Sequence, residues 1–304
     1  MIKKLFILLL SLFLSFTSAA QETHIDFRYD GIYLNHINLA QLEKLYKDYQ
    51  YKDYLYMPEW KYPPIFLQSM PTDFLSITDK QKRNKLFLQI LVPLSLRLNE
   101  EIAAERQNIM DTIDAFNKEH NLSQIQIKQL EDKAVKYDIF TKLKGERRYK
   151  FLLEHLKQKV DSVPPSLLIA AAAIESDWGT NRPVNMANSL YRELVWNTTE
   201  GLEPLEETED KSYRYKKFDS LFNSMESFAL HINSNINFEM FRTRRAQIKS
   251  KDLPVLGRDI AHTLNAASAL QNFAGILDYT ITFYELTNID EAELFPMRLP
   301  KPKD

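Results

Sequence analysis

Apolar residues recur every three or four positions over most of the chain, and this spacing predicts a mainly α-helical protein. The longest run covers residues 78–118 and predicts one long amphipathic helix, or two helices that join near Pro93. Shorter helical patterns are expected at 39–49, 121–138, 149–162, 162–175, 220–234, 238–249, 253–264 and 270–286.

Two segments depart from the helical pattern. The stretch YQYKDYLYMPEWKYPP contains three prolines, which block helix continuation and predict an extended segment. Residues 191–196 and 212–218 are strand-like and enclose an acidic middle, so we expect a β-hairpin with a long loop. The pattern therefore predicts a mainly α fold with a small β-hairpin lobe, preceded by an N-terminal helical region.

Composition narrows the classes of function. The chain has 304 residues, of which 44% are hydrophobic and 26% charged, as is typical of a globular protein. A net charge of -2 gives no overall field that would hold the protein on nucleic acid. The six histidines are scattered, and no H-E-x-x-H motif, Walker loop or dinucleotide fingerprint occurs. We therefore expect no metal and no cofactor.

The first residues, MIKKLFILLLSLFLSFTSAAQE, have the three parts of a secretory signal peptide: two lysines, a short apolar run and small residues at the end. We expect a signal peptide of residues 1–20, cleaved near Ala20. The alternative, an uncleaved anchor, would need a longer apolar run to cross a bilayer. Because the chain has no cysteines, it has no disulfides. This combination favours a protein exported to the bacterial periplasm or cell envelope, without a membrane span after processing.

The stretch SVPPSLLIAAAAIESDWG predicts a strongly apolar helix that ends in a carboxylate, Glu175. The residues three, four and seven positions before it are Ala172, Ala171 and Leu168, so the carboxylate lies on an apolar stripe. Burial and the negative end of the helix dipole both favour the protonated form, which a general acid requires. The simpler alternative is that Glu175 only ends the helix and points to water. Three positions later, Trp178 offers a flat apolar face on which a sugar ring could stack.

The motif AAAAIESDWGTNR followed by NSLY resembles the A-x-x-E-S-x-W-G-x-S-R … N-N-L-F-G signature of bacterial glucosaminidases, glycoside hydrolase family 73 and its relatives. A second block, YRYKKFDSLFNSMESFALHINSNINFEMFRTRRAQI, is similar to the family's F-D-S … S-V-x-S-Y … L-N-T-H-x-x-Y-x-x-x-R segment. The region before the motif resembles the N-terminal helices of the Bax-type subgroup. The resemblance spans roughly residues 60–285.

The resemblance implies a lysozyme-like helical catalytic domain that hydrolyses β-1,4 bonds after N-acetylglucosamine in peptidoglycan. It implies that Glu175 is the general acid and that Asn188, Leu190 and Tyr191 close the floor of the cleft. Trp196 and Tyr191, on the predicted hairpin, could line the glycan groove or belong to the core. The predicted organisation is a signal peptide at 1–20, a Tyr/Pro-rich segment and helices at 21–145, a catalytic domain at 146–290 and a tail at 291–304.

The chain departs from the family pattern at several positions. Asp177 replaces a small residue beside the acid, and Arg192 replaces the glycine after N-x-L-F. Phe238 stands in place of the tyrosine of H-x-x-Y, with Asn235 near the position of its histidine. The family's late Y-S-x-x-G segment is unrecognisable in LNAASALQNFAGILDY.

The second catalytic group is not decided by the sequence. The hairpin loop offers Glu200 and Glu203, and also Glu206 and Glu207, each of which could equally be a solvated surface residue. A third possibility is assistance by the substrate's own acetamido group, with a polar partner such as Tyr213 or Tyr215.

The interpretation that follows is an exported peptidoglycan hydrolase of the endo-β-N-acetylglucosaminidase type, with glycan strands as its partner. One alternative is a lytic transglycosylase, although N-S-L-Y stands where those enzymes carry G-L-M-Q. The other is a glycan-binding or scaffold protein that kept the fold and lost turnover, which the changes at Asp177 and Arg192 motivate.

Overall fold

The computed structural model describes residues 23–55, 57–205 and 212–296. The predicted signal peptide at 1–20 lies outside these residues, and so do Glu206 and Glu207 of the hairpin loop and most of the predicted tail.

A small sheet and one helix form the N-terminal part. Strand β1 (His24–Arg28) pairs antiparallel with β2 (Gly31–Asn35), and β2 pairs parallel with β4 (Ile65–Leu67). Helix α1 (Leu39–Asp48) begins at a capping box, in which Asn38 and Gln41 exchange side-chain and backbone hydrogen bonds. A further strand, β3 (Lys61–Tyr62), pairs with the C-terminal β7 (Glu293–Leu294) and ties the two ends of the described chain together.

Helix α2 (Lys80–Glu119) is one continuous helix, which excludes the alternative of two helices joined at Pro93. Its first N–H groups are capped by the Asp79 side chain. Pro93 has no N–H to donate, which leaves the Gln89 carbonyl without its helical partner. The hydroxyl of the buried Tyr51 donates to that carbonyl at 2.9 Å. The extended Tyr/Pro-rich segment therefore wraps the helix and satisfies the gap that the proline creates.

Helices α3 (Gln124–Lys136) and α4 (Gly145–Lys159) pack beside α2, and Arg245 fixes the end of α4. Its guanidinium is 1% exposed and donates to the carbonyls of Gln158, Asp161 and Ser162 at 2.8–3.2 Å. Burial lowers the pKa of Arg245 to about 10, so it stays cationic at neutral pH. This arginine holds the short loop that leads into the next helix.

Helix α5 (Pro165–Glu175) is the central helix of the protein. It begins with proline at its first position, where the missing N–H costs nothing. Every side chain from 167 to 173 is fully buried, including the four alanines at 170–173. These small residues allow close contact with the helices around α5, which are α2, α9 (Gly257–Ile260) and α10 (Phe273–Phe283).

The chain after α5 builds the hairpin and the last helices. Helix α6 (Arg182–Ala187) leads to the antiparallel hairpin of β5 (Leu194–Trp196) and β6 (Tyr213–Tyr215). Four helices follow: α7 (Leu221–Ser234), α8 (Glu239–Lys249), α9 (Gly257–Ile260) and α10 (Phe273–Phe283).

The predicted fold class, mainly α with a small β-hairpin, is confirmed. The helices expected at 39–49, 78–118, 121–138, 220–234 and 238–249 are present to within a few residues. The helix expected over 253–264 is wrong, because Pro254 delays helix formation until Gly257 and the chain then tightens into 3₁₀ turns. The hairpin strands are shorter than predicted, and β1, β2 and α6 were not foreseen. The division at residue 145 stays a prediction; the hydrophobic core is continuous on both sides of it.

The carboxylate of Asp290 fixes the start of α5. It accepts hydrogen bonds from the N–H and the hydroxyl of Ser166, both at 2.8 Å, and from the N–H of Gly257 at 2.7 Å. The backbone of Gly257 can come this close only because glycine has no Cβ, since a Cβ there would lie 2.0 Å from the Ser166 hydroxyl. Burial raises the pKa of Asp290 to about 6, against the three hydrogen bonds, which lower it.

We predict that Asp290→Ala lowers the free energy of unfolding at pH 4 by about 2–4 kcal/mol, because two buried backbone N–H groups lose their acceptor. Since the pKa of Asp290 in the folded protein is about 6 and lies above its ordinary value of 3.8, the folded state holds this proton more tightly. The stabilisation it gives is complete below pH 4 and is lost as the pH rises through 6. The loss caused by Asp290→Ala should therefore be smaller at pH 7 than at pH 4.

Urea denaturation at the two pH values measures this difference. Asp278→Ala is the control, because Asp278 forms an ion pair with Arg258 in which both side chains are half-exposed, and its removal should cost little. Equal losses for the two variants at pH 4 would contradict a role for Asp290 in holding α5.

Candidate active site

Glu175 is the last residue of α5, and its side chain is buried. Leu168, Ala171 and Ala172, the residues predicted to share its face, are all fully buried, and Glu175 itself is 5% exposed. The predicted position is therefore confirmed, and the alternative that Glu175 points to water is wrong.

Both oxygens of the Glu175 carboxylate accept hydrogen bonds from the protein. Nε of Arg192 donates to Oε2 at 3.0 Å and forms an ion pair with it. The hydroxyl of Ser268 donates to Oε1 in a short hydrogen bond. The backbone carbonyl of Glu175, at the helix end, accepts from the side chain of Asn181 at 2.7 Å. The carboxylate is thus held between the end of α5, the base of the hairpin and the loop before α10.

Arg192 lies where the chain enters the hairpin, in a left-handed backbone conformation with a φ of 51°. The next residue, Glu193, points the other way and accepts from Ser227 of α7 at 2.8 Å and from Lys216 at 3.4 Å. The base of the hairpin is therefore attached to α5 on one side and to α7 on the other.

Ser268 was missed by the sequence analysis. It lies in the stretch LNAASALQNFAGILDY, where the family's Y-S-x-x-G segment was unrecognisable, and its hydroxyl also accepts from the N–H of Leu270 at 3.1 Å. The only signal for it was a serine in that stretch, and nothing local pairs such a serine with Glu175.

One face of the hairpin is apolar. The register pairs Leu194 with Tyr215 and Trp196 with Tyr213, which puts these four side chains on one side of the two-stranded sheet. Trp196 is 54% exposed, and its ring lies 5.5 Å from that of Tyr213. Trp196 and Tyr213, both predicted to bind substrate, therefore form an accessible aromatic surface.

Tyr191 belongs to the core, which is one of the two alternatives that the sequence left open for it. Its ring stacks on Phe228 at 3.9 Å, and its hydroxyl donates to the carbonyl of Leu168.

Trp178 is half-buried and packs against Phe87 and Tyr284, with ring centroids 6.2 Å and 4.5 Å away. Its role in binding a sugar ring stays a prediction.

The predicted polar residue Asn188 ends α6 in a left-handed conformation and donates to the carbonyl of Phe218 at 3.1 Å. It therefore holds the two ends of the hairpin segment together.

Phe238 is fully buried and packs against His231, and Asn235 caps the 3₁₀ turn beside it. Asp177 is exposed and accepts from the hydroxyl of Thr180 at 3.0 Å.

The two described carboxylates of the hairpin loop, Glu200 and Glu203, lie at the surface. Glu203 pairs with Arg214 at 2.6 Å and its side chain is 70% exposed; Glu200 is also exposed. Among the described residues, no cluster of three or more histidine or acidic side chains is placed to hold a metal ion. None of the helices in the described ranges combines the length and hydropathy that a bilayer crossing needs.

Comparison with known proteins relates the chain to one curated protein. No family model matches it. It is 27% identical over 186 residues to protein Bax of Escherichia coli (strain K12). The chain is similar to this protein over part of its length. The predicted resemblance to that group is thereby confirmed, over 61% of this chain and 64% of the length of protein Bax.

One solved structure is similar to part of the chain, the catalytic domain of the autolysin Auto from Listeria monocytogenes. The match covers 60% of this chain and 96% of that domain at 17% identity, with a TM-score of 0.33. A TM-score this low does not establish a shared fold.

The partners of Glu175 differ from those that its apolar helix face indicated. A cation, Arg192, and a hydroxyl, that of Ser268, both lie beside the carboxylate. In the structure the carboxylate of Glu175 is a buried acceptor for two donors. Proton donation from it would require at least one of these contacts to change.

Proposed function

We propose that the protein is an exported peptidoglycan hydrolase that cleaves β-1,4 glycosidic bonds after N-acetylglucosamine. The observation that carries the proposal is a buried carboxylate, Glu175, at the end of an apolar helix and within the E-S-x-W-G motif that resembles the glucosaminidases. Burying a carboxylate costs several kcal/mol unless it is paired, so its place at the end of an apolar helix favours a functional role. The kinship with the Bax-type proteins agrees with this assignment.

The exposed aromatic rings of the hairpin support a glycan as the substrate. Exposed aromatic rings such as those of Trp196 and Tyr213 offer the flat apolar surface on which a pyranose packs, and their hydroxyl and indole groups supply polar contacts. The hairpin base carries Arg192, which contacts Glu175 directly. A glycan strand lying along this face would run from the hairpin towards the carboxylate.

In the proposed reaction, protonated Glu175 donates its proton to the glycosidic oxygen as the bond to the anomeric carbon breaks. Water attacks that carbon and leaves a reducing N-acetylglucosamine end. A second carboxylate of the hairpin loop, at Glu200, Glu203, Glu206 or Glu207, would orient the water or stabilise the oxocarbenium ion. If none does, the acetamido oxygen of the substrate takes this role and a tyrosine of the hairpin, Tyr213 or Tyr215, is its polar partner.

A glycan-binding protein without turnover is the second candidate, and the Arg192–Glu175 ion pair favours it. Arg192 binds the carboxylate that would act as the acid. It stands at the position where the glucosaminidases that the motif resembles have glycine. Incubating the purified protein with peptidoglycan and analysing the products by mass spectrometry separates the candidates. Reducing N-acetylglucosamine ends support the hydrolase, 1,6-anhydro ends indicate a lytic transglycosylase, and intact glycan that co-sediments with the protein indicates a binding protein.

We predict that Glu175→Gln lowers the rate of peptidoglycan cleavage by about 10²–10⁴-fold, because the amide has no proton to donate. Binding of the glycan should persist. The fold should also persist, since the amide oxygen can accept from Arg192 while the amide nitrogen donates to the Ser268 hydroxyl. Release of reducing ends and co-sedimentation with peptidoglycan measure the two effects.

Asp177→Asn is the matched control, because it neutralises an exposed carboxylate two residues away in the same turn. It should leave the rate of cleavage within about threefold, since surface charges interact weakly with a buried group. A Glu175→Gln variant that cleaves as well as the wild type would mean that another residue is the acid.

A second prediction concerns the hairpin loop. Replacing Glu200, Glu203, Glu206 and Glu207 one at a time by glutamine should lower turnover by about 10²-fold or more at one position and leave the others near normal. The thermal midpoint of each variant shows whether a loss of rate reflects unfolding. Near-normal rates for all four variants would instead favour assistance by the substrate's acetamido group.

We also predict export with cleavage near Ala20. Lys3 and Lys4, the apolar run and the small residues TSAA are the basis of this prediction. N-terminal sequencing of the protein from the cell-envelope fraction should give a first residue close to Gln21. An intact Met1 in that fraction would contradict the prediction.

A further inference from the structure

Both oxygens of the Glu175 carboxylate face donors of the protein. A carboxyl group that donates a proton needs one oxygen protonated and free to face its acceptor. Here Oε2 faces the Arg192 guanidinium, which has only donors, and Oε1 accepts from the hydroxyl of Ser268. Neither oxygen is therefore free to face a glycosidic oxygen while both contacts persist.

The side chain of Arg192 is placed so that it can move away from Glu175. Its side chain is 39% exposed, and within the described residues only Nε has a protein acceptor, so the two terminal nitrogens are left for solvent or ligand. Its backbone has a φ of 51°, a left-handed conformation that a side chain with a Cβ disfavours and glycine does not. Arginine thus occupies this position although the backbone conformation there favours glycine.

Arg192 supplies the charge that opposes protonation of Glu175. Asp177, two residues along, is exposed and turned towards Thr180. Glu193 is directed to Ser227 and Lys216 on the side of α7. From the loop before α10 the contact is the neutral Ser268. In the part of the chain that the structure describes, Arg192 is the one charged group paired with this carboxylate.

We propose that Arg192 is a positioning residue that pairs with the Glu175 carboxylate in the free protein and must move off it before the carboxyl group can donate a proton. The first half of this proposal concerns the carboxylate alone. The second half rests on the proposed function, because it concerns the glycosidic bond. Glu175 would thus be unable to donate a proton until the guanidinium of Arg192 is displaced.

The test uses Arg192→Gly, which removes the cation and suits the left-handed backbone, so that the variant should fold. The δ-carbon of Glu175, labelled with ¹³C and assigned by its loss in Glu175→Gln, reports the ionisation of the carboxyl group by NMR. We expect its titration midpoint to be higher in Arg192→Gly than in the wild type, because the variant lacks the cation beside the carboxylate. Arg192→Lys should give a smaller rise.

Asn197→Gly is the control, because Asn197 lies in the same hairpin with a similar φ of 53° but is exposed and bears no charge. It should leave the titration of Glu175 unchanged. An equal midpoint in the wild type and Arg192→Gly, or an equal rise in Asn197→Gly, would overturn the role of Arg192 as the counter-ion.

Peptidoglycan cleavage measured over pH tests the second half. Arg192→Gly should cleave faster than the wild type at neutral pH, and its activity should extend further to the alkaline side, because the cation that opposes protonation of the carboxyl group is gone. A shifted titration with slower cleavage would mean that Arg192 assists the reaction, and this half would be wrong. A shifted titration with no cleavage by either the wild type or Arg192→Gly would overturn the proposed function and leave the counter-ion role standing.

Discussion

A carboxylate buried at the end of an apolar helix must be given donors, and much of the structure around α5 answers that requirement. Desolvating an unpaired carboxylate costs several kcal/mol. Arg192 and Ser268 offset this cost, one from the base of the hairpin and one from the loop before α10. Both segments must then be fixed relative to α5. Glu193 attaches the hairpin to α7, and α10 packs directly against α5.

The helix that carries this carboxylate is built for close contact. The four alanines at 170–173 are fully buried, and Gly179, just after the helix, lies where a Cβ would meet the ring of Phe87 at 2.7 Å. Small residues at these positions bring α2 and α10 near the end of α5 and exclude solvent from it. The same packing buries the ring of Tyr191 and leaves that of Trp178 half-buried. The surroundings of Glu175 therefore take one of the aromatic residues predicted to bind sugar into the core.

The sequence predicted features that depend on local patterns. Helical periodicity located α2, α7 and α8, and the residues three, four and seven positions before Glu175 correctly placed its side chain on a buried face. The sequence did not predict features that depend on contacts between residues far apart in the chain. Arg192 and Ser268 are 17 and 93 residues from Glu175 in the chain, so no spacing rule pairs them with it. Short elements such as β1 and α6 also escaped, because five or six residues carry too little periodicity to distinguish them from loops.

Helix α5 is held at both ends by the last part of the described chain. Asp290 accepts from Ser166 at its first turn, across 124 residues of sequence, and Ser268 donates to Glu175 at its last residue. Closing loops of this length costs chain entropy that the contacts at the two ends of the helix must offset. Both partners also follow α5 in the chain, so during synthesis from the N-terminus α5 is made before either of them exists. The hydroxyl that faces Glu175 is therefore absent until the C-terminal segment has been added.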